Sequence, residues 1–456
     1  MFPESIFFIA LLMCVVLTAV ALSAQKDRKA TVVWCLSGFV VACLKIWLVQ
    51  QTPQWLDVSP DSKLYQLHAQ ALALHWQGES VDALGYRLYG FLASWASGRG
   101  LVWETDMNIP YSGVLGTHEW LYAAFLGSWK LVAEDWLVWA TYSNAAMAAI
   151  FPAASYGIAR CLGASTKVAS VAALLALVDP SSGVNASWLL KDTLAGFLAV
   201  AATWGVLRTL QAPDESAPLV LFSAAAGLAC VRFSGYAALI LAIAVTAMTL
   251  FGRARRQSLK HLVICVLGSL VLFGVLYSSP QFTTLRSLIV AAALPLEAQK
   301  ATLNAGEGER GSDTTVTDWQ TKWSEDPLKA IVTSVARTLF APFPWVALTH
   351  GLSGTNSIEL YYPGVILWIA CLPGVLWGIP TGLRRAPREG LFLACMLLAL
   401  LGAYTLFLGE WSTRQRVFML PVLFAYAAIG WRDIYIRSRV KFAALRDKSL
   451  SRPTEP

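Results

Sequence analysis

Apolar stretches of membrane-spanning length recur along this chain, near 5–24, 31–50, 137–159, 168–184, 193–210, 218–231, 235–252, 261–278, 361–383, 390–408 and 416–432. A hydrocarbon core about 30 Å thick takes roughly 20 apolar residues per helix. Inside lipid, every backbone polar group has to be satisfied within the protein, so only helices and closed barrels span it. Runs this long are helical. The expected fold is all-α, a polytopic membrane protein of about eleven transmembrane helices. Composition agrees: 56% of the 456 residues are hydrophobic and 14% are charged, outside the range of soluble globular domains.

The short basic loops are 26–29, 160–167, 253–261, 384–388 and the tail from Arg432. Placing the N-terminus outside puts all of them inside, in keeping with the positive-inside bias. The first run has no basic n-region, since Glu4 precedes it. It therefore reads as a first membrane helix rather than a signal peptide. The stretch 120–133 is short for a span and must lie on the surface or re-enter, or all downstream loops would invert. Two large loops, 51–136 and 279–360, then face out and carry interfacial helices. Within the second, 304–317 contains Gly306, Gly308 and Gly311 and reads as a mobile loop or lid. The expected division is 1–30, an extra N-terminal helix; 31–252, a core module; 253–440, a C-terminal transmembrane module; and 441–456, a basic cytoplasmic tail.

The net charge of +7 is explained by those loops, which argues against nucleic acid as a partner. The eight cysteines fall in or beside apolar runs and form no CxxC, so no disulfide framework or thiolate metal site is expected. The sequence has no GxxxxGK[ST], no HExxH and no GxSxG.

Three groups of polar residues fall on the outer side. The first is Ser59-Pro60-Asp61-Ser62-Lys63-Leu64-Tyr65. Ser59 suits a cap and Pro60 a first helical position. On the following helix Asp61, Tyr65 and His68 share a face. An acid there also fits a helix start that favours negative charge. The second group runs from Asp179-Pro180 to Lys191-Asp192. Ionisable residues near the membrane are costly and functional by default, although Lys191 has the alternative of snorkelling to headgroups. The third is Arg414 and Arg416, with Arg232 and Arg337 as further outer cations. A guanidinium offers a planar fork to phosphate; anchoring beside Trp411 is the plainer reading of the loop.

In their order these segments resemble the GT-C glycosyltransferase superfamily, in its bacterial branch of polyprenyl-phosphate-sugar transferases akin to the aminoarabinose and protein mannosyl transferases. The matching elements are Asp61-Ser62-Lys63-Leu64-Tyr65, the apolar 121–131, Arg160-Cys161-Leu162-Gly163, Asp179-Pro180 through Lys191-Asp192, and Arg414-Gln415-Arg416 with Pro421 and Gly430. The resemblance covers 31–210 best and 409–431 more weakly. It implies inverting transfer of a hexosyl or pentosyl group from a polyprenyl-phosphate-linked sugar to a cell-surface glycan or lipid acceptor. The site would lie at the periplasmic face of a bacterial inner membrane. Asp61 would be the general base. Tyr65, His68, Asp106, Glu119, Lys191 and Asp192 would bind substrate, and Arg414, Arg416, Arg232 and Arg337 the donor phosphate. It leaves open a divalent cation, Mg2+ or Mn2+; no metal ligands are assigned. Two other classes remain. One is a Wzy-type polysaccharide polymerase or ligase that grips a lipid diphosphate with loop arginines. The other is a transporter or flippase, which predicts broken helices at the midplane and internal symmetry.

Overall fold

The computed structural model describes residues 4–22, 27–51, 62, 65, 66, 69, 70, 73, 76, 77, 120–211, 216–249, 260–268, 270, 271, 326–340, 357–405 and 416–450. Among the described residues every regular element is helical. The helices are α1 (Glu4–Leu22), α2 (Arg28–Gln50), α3 (Trp120–Val132), α4 (Trp136–Ala148), α5 (Ile150–Cys161), α6 (Thr166–Val178) and α7 (Ser181–Ser187), then α8 (Lys191–Gln211), α9 (Ser216–Ala229), α10 (Phe233–Thr249), α11 (Pro327–Phe340), α12 (Ser357–Arg385), α13 (Pro387–Ala403) and α14 (Leu420–Leu450). A 3-10 turn, Val417–Met419, leads into α14.

Four described helices are individually long and apolar enough to cross a membrane: Arg28–Gln50, Lys191–Gln211, Tyr362–Arg385 and Val417–Ala443. The span expected over 168–184 is instead a pair, α6 and α7, bent by 42° at Asp179–Pro180. Proline there has no N–H to continue the ladder, and Asp179 takes extended torsions, φ −60° and ψ 124°. The span expected over 137–159 is α4 running into α5 through Ala149, whose torsions stay helical. The stretch expected to lie flat or re-enter is α3, 13 residues long.

α14 is the centre. Every residue from 416 to 430 is buried, so the first part of the helix is enclosed on all sides, as an all-round apolar segment must be. It packs on α12, α5 and α6. Contact with α12 is backbone to backbone: a Cβ on Gly378 would stand 2.1 Å from the Tyr426 carbonyl oxygen, and one on Gly430 1.9 Å from that of Gly374. Small residues let membrane helices approach this closely. Elsewhere exposed leucines and valines such as Leu17, Val40, Leu241 and Val271 cover the outside, which suits lipid.

Polar contacts gather at the two ends of the bundle. At one, Arg160 pairs with Asp27 at 3.3 Å, and the Tyr156 hydroxyl donates to the same carboxylate at 3.2 Å. Arg385 pairs with Asp433 at 3.6 Å, and Gly163 packs against Arg385. Residues 27–29, 160–167 and 384–388, parts of three of the basic loops, thus share this end. Where α14 leaves the core here, Trp377 donates to Asp433 at 2.8 Å and Trp431 to the Ala370 carbonyl at 2.9 Å. Tryptophans bridging apolar and polar zones are typical of a membrane boundary. The opposite end, about 25 Å away along α2 and α13, holds Lys45, Asp192, Arg232 and Arg416.

Candidate functional site

The site is built where α8, the α9–α10 connection and the end of α13 meet. α7 closes with a Schellman arrangement: Leu189 N–H donates to Ala186 and Leu190 N–H to Asn185. Leu189 takes the left-handed torsion, φ 52°, where glycine is usual. The turn delivers Lys191 and Asp192 into the first turn of α8, both buried. A carboxylate there also gains from the helix dipole.

Arg232 comes from the short connection between α9 and α10. Its Nη1 donates to the Asp192 carboxylate. Its Nη2 donates to the Tyr404 hydroxyl at 2.9 Å. The guanidinium lies 5.4 Å from the Phe418 ring centroid. Gly196 on α8 leaves room for both Phe151 and Phe418; a Cβ there would stand 2.4 Å from the Phe151 ring and 3.3 Å from the Phe418 backbone.

Arg416 is linked to Thr405, just past α13, by way of Thr338 on α11. It is 1% exposed. Its guanidinium lies 4.7 Å from the Trp368 ring centroid, and Nη2 donates to the Thr338 carbonyl at 3.4 Å. Thr405 Oγ1 donates to Thr338 Oγ1 at 3.3 Å, and Ser334 Oγ to the Thr405 carbonyl at 2.6 Å. α11 is therefore amphipathic in the membrane sense: Ser334 and Thr338 turn inward while Leu328, Val332 and Val335 are exposed. Arg337 lies half-buried beside Thr338.

A second polar group lies between α3, α4 and α7. Asn144 Nδ2 donates to the Tyr122 hydroxyl at 2.9 Å and to the Ala186 carbonyl at 3.4 Å. Tyr65 meets Tyr122 edge to face, with centroids 5.3 Å apart. The Asp192 carboxylate is close enough to Tyr122 to act on it electrostatically. A third group holds the α6–α7 bend. Lys45 Nζ donates to the carbonyls of Leu177, at 2.8 Å, and Asp179, which are left free where α6 ends. The Asp179 carboxylate accepts from Ser181 Oγ at 3.3 Å and Ser182 N–H at 3.4 Å.

Of the expected site residues, Asp192, Arg232 and Arg416 converge on the Tyr404–Thr405 region. Lys191 and Arg337 adjoin it in sequence, and Tyr65 is tied in through Tyr122. Asp61, His68, Asp106, Glu119 and Arg414 lie outside the described residues. Tyr404, Thr338, Trp368, Tyr122, Asn144 and Lys45 were missed. Only Lys45 carried a signal, as a lone lysine inside an apolar span. The others are ordinary residues of apolar or amphipathic runs.

Chemically, Arg232 and Arg416 set against Asp192 leave an excess of positive charge among these residues, on a bundle whose outer surface is apolar. That suits the anionic head of a lipid-borne molecule. Among the described residues no group of three or more His, Cys, Asp or Glu side chains is placed to hold a metal ion. Asp192 itself is engaged by Arg232, so the described residues do not fit a divalent cation and no step is routed through one.

No protein-family model and no curated protein matches this sequence. Solved structures do. The archaeal oligosaccharyltransferase AglB from Archaeoglobus fulgidus, in complex with an inhibitory peptide and a dolichol-phosphate, matches with a TM-score of 0.48 at 14% identity. An Archaeoglobus fulgidus oligosaccharyltransferase in the apo form matches with a TM-score of 0.49, also at 14% identity. Each match covers 91% of this chain and 52% of the other, so the chain spans about half the length of the structures it matches. Likeness at this level leaves the reaction to be read from the residues.

Proposed function

We propose that this chain is a GT-C-like membrane glycosyltransferase. It moves a sugar from a polyprenyl-phosphate-linked donor to a cell-surface glycan or lipid acceptor, at the periplasmic face of a bacterial inner membrane. The observation that carries this reading is the pair of arginines, Arg232 and Arg416, one bonded to Tyr404 and the other linked through Thr338 to Thr405. They lie at the end of the bundle away from the basic loops.

In the reaction Asp61 takes the proton of the acceptor hydroxyl. The acceptor oxygen attacks the anomeric carbon, and the bond from that carbon to the phosphate oxygen breaks with inversion. The bonding pair leaves with the phosphate, whose growing charge Arg232, Arg416, Arg337 and Arg414 offset. Lys191, Asp192, Tyr65, His68, Asp106 and Glu119 line the substrate path. The loop 279–360, which contains α11, closes on the donor side and excludes water.

The test is transfer of glycan in a strain lacking the native protein, comparing wild type with Asp61→Asn at equal membrane abundance. Asparagine keeps the size of the side chain but cannot act as the base. Loss of product with normal insertion is the expected result. Full activity would remove Asp61 from the reaction and leave the arginine pair as the grip of a polymerase or ligase on a lipid diphosphate.

A further inference from the structure

The Arg232 guanidinium has each terminal nitrogen committed, Nη1 to Asp192 and Nη2 to Tyr404. These two partners differ in kind. A tyrosine hydroxyl can donate to phosphate as readily as it accepts from arginine. A carboxylate only accepts, so it occupies the same donors that a phosphate oxygen needs and repels the phosphate as well. Asp192 is fully buried, whereas Arg232 keeps 11% of its side chain exposed, so the arginine can be approached from a side that the carboxylate cannot reach.

We propose that Asp192 is a specificity-determining residue of the donor site: it competes with the donor phosphate for Arg232 and thereby favours a single phosphate over a diphosphate. This rests on Arg232 being a donor-phosphate residue, as argued above. When phosphate takes Nη1, the displaced carboxylate stays at the dipole-positive start of α8. It therefore remains as a negative charge beside the bound head. A diphosphate, carrying more charge than a single phosphate, is penalised more by it. Tyr404 serves both states, passing from Arg232 to a phosphate oxygen without a change of charge.

The test measures binding of decaprenyl phosphate and decaprenyl diphosphate to the full-length protein in phosphatidylcholine nanodiscs, for wild type, Asp192→Asn, Arg232→Gln and the double variant. Asp192→Asn is expected to bind both ligands more tightly, on the order of tenfold for the monophosphate, with the larger gain for the diphosphate. Arg232→Gln is expected to weaken both, and in its background the gain from Asp192→Asn should shrink to the part that charge repulsion alone supplies. If Arg232→Gln leaves both affinities unchanged, the donor-phosphate reading of Arg232 itself fails. If Arg232→Gln weakens binding but Asp192→Asn does not tighten it, that reading stands and the competition is refuted. A gain from Asp192→Asn that is as large without Arg232 as with it refutes it too, since the carboxylate would then act only as a charge and not as a competitor for Arg232. Should Asp192→Asn not fold, a structure of the wild-type protein loaded with decaprenyl phosphate decides the point. Arg232 is expected on phosphate and off Asp192; an intact pair beside bound phosphate overturns the inference.

Discussion

Tyr122 shows how much a single residue of this bundle carries. Its ring receives Tyr65 edge-on, and its hydroxyl accepts from Asn144, which is fully buried. Tyr122→Phe keeps the ring and deletes the hydroxyl. Asn144 is then left with the longer bond to Ala186, and a buried donor that loses its better partner costs about 1 kcal/mol. The expected outcome is a lowered unfolding temperature in detergent with the Tyr65 contact retained. An unchanged temperature would mean that water replaces the hydroxyl without loss. The two helix stops at residue scale differ in legibility. α5 ends at Gly163, with φ 77°, the residue type that sequence reading expects at a left-handed stop. α7 ends in the same way at Leu189, φ 52°, which gives no such signal. The placement of Lys191 and Asp192 hangs on that second stop.

At the scale of elements, the α12–α14 contact and the α6–α7 bend set the architecture. α12 holds Pro363, Pro373 and Pro380 within one helix, which neighbouring helices make tolerable in a membrane. Its Gly374 and Gly378 lie one turn apart and face α14. A valine at 378 would push its Cβ, 2.1 Å from the Tyr426 oxygen, against backbone that cannot swing aside. Gly378→Val is therefore expected to part the two helices, at a cost of about 1–3 kcal/mol or more. Thermal unfolding and the yield of monodisperse protein in detergent report it. Retention of both would show that α14 can shift bodily along α12. The α6–α7 bend depends on Lys45, whose stem passes where Gly183 has no side chain. Its ammonium joins α2, from which the chain runs on toward Asp61, to the turn that leads to Asp192.

For the whole molecule, the paired loops at one end and the arginine cluster at the other imply opposite faces of a membrane. Single cysteines test this in a background freed of the eight native thiols. Ser165→Cys and Arg388→Cys, both exposed near the paired loops, should react with a membrane-impermeant maleimide from one side. Gln51→Cys, exposed beyond Lys45, should react from the other. Labelling of all three from the same side would break the alternation on which the outer placement of Arg232, Arg416 and Asp192 depends. The sequence by itself determined the all-helical membrane class and the grouping of the basic loops, because apolar length and basic-loop bias are properties of short local segments. It also marked Asp192, Arg232 and Arg416 as costly charges in need of a reason. Tertiary structure alone decided their company. Tyr404 lies 172 positions from Arg232 and Thr338 78 positions from Arg416, and no local pattern links residues so far apart. It also decided that the first part of α14, as far as Gly430, is enclosed on every side and that the fourth apolar run breaks at Asp179. Burial and bending depend on which helices arrive as neighbours, and that is settled only when the chain packs.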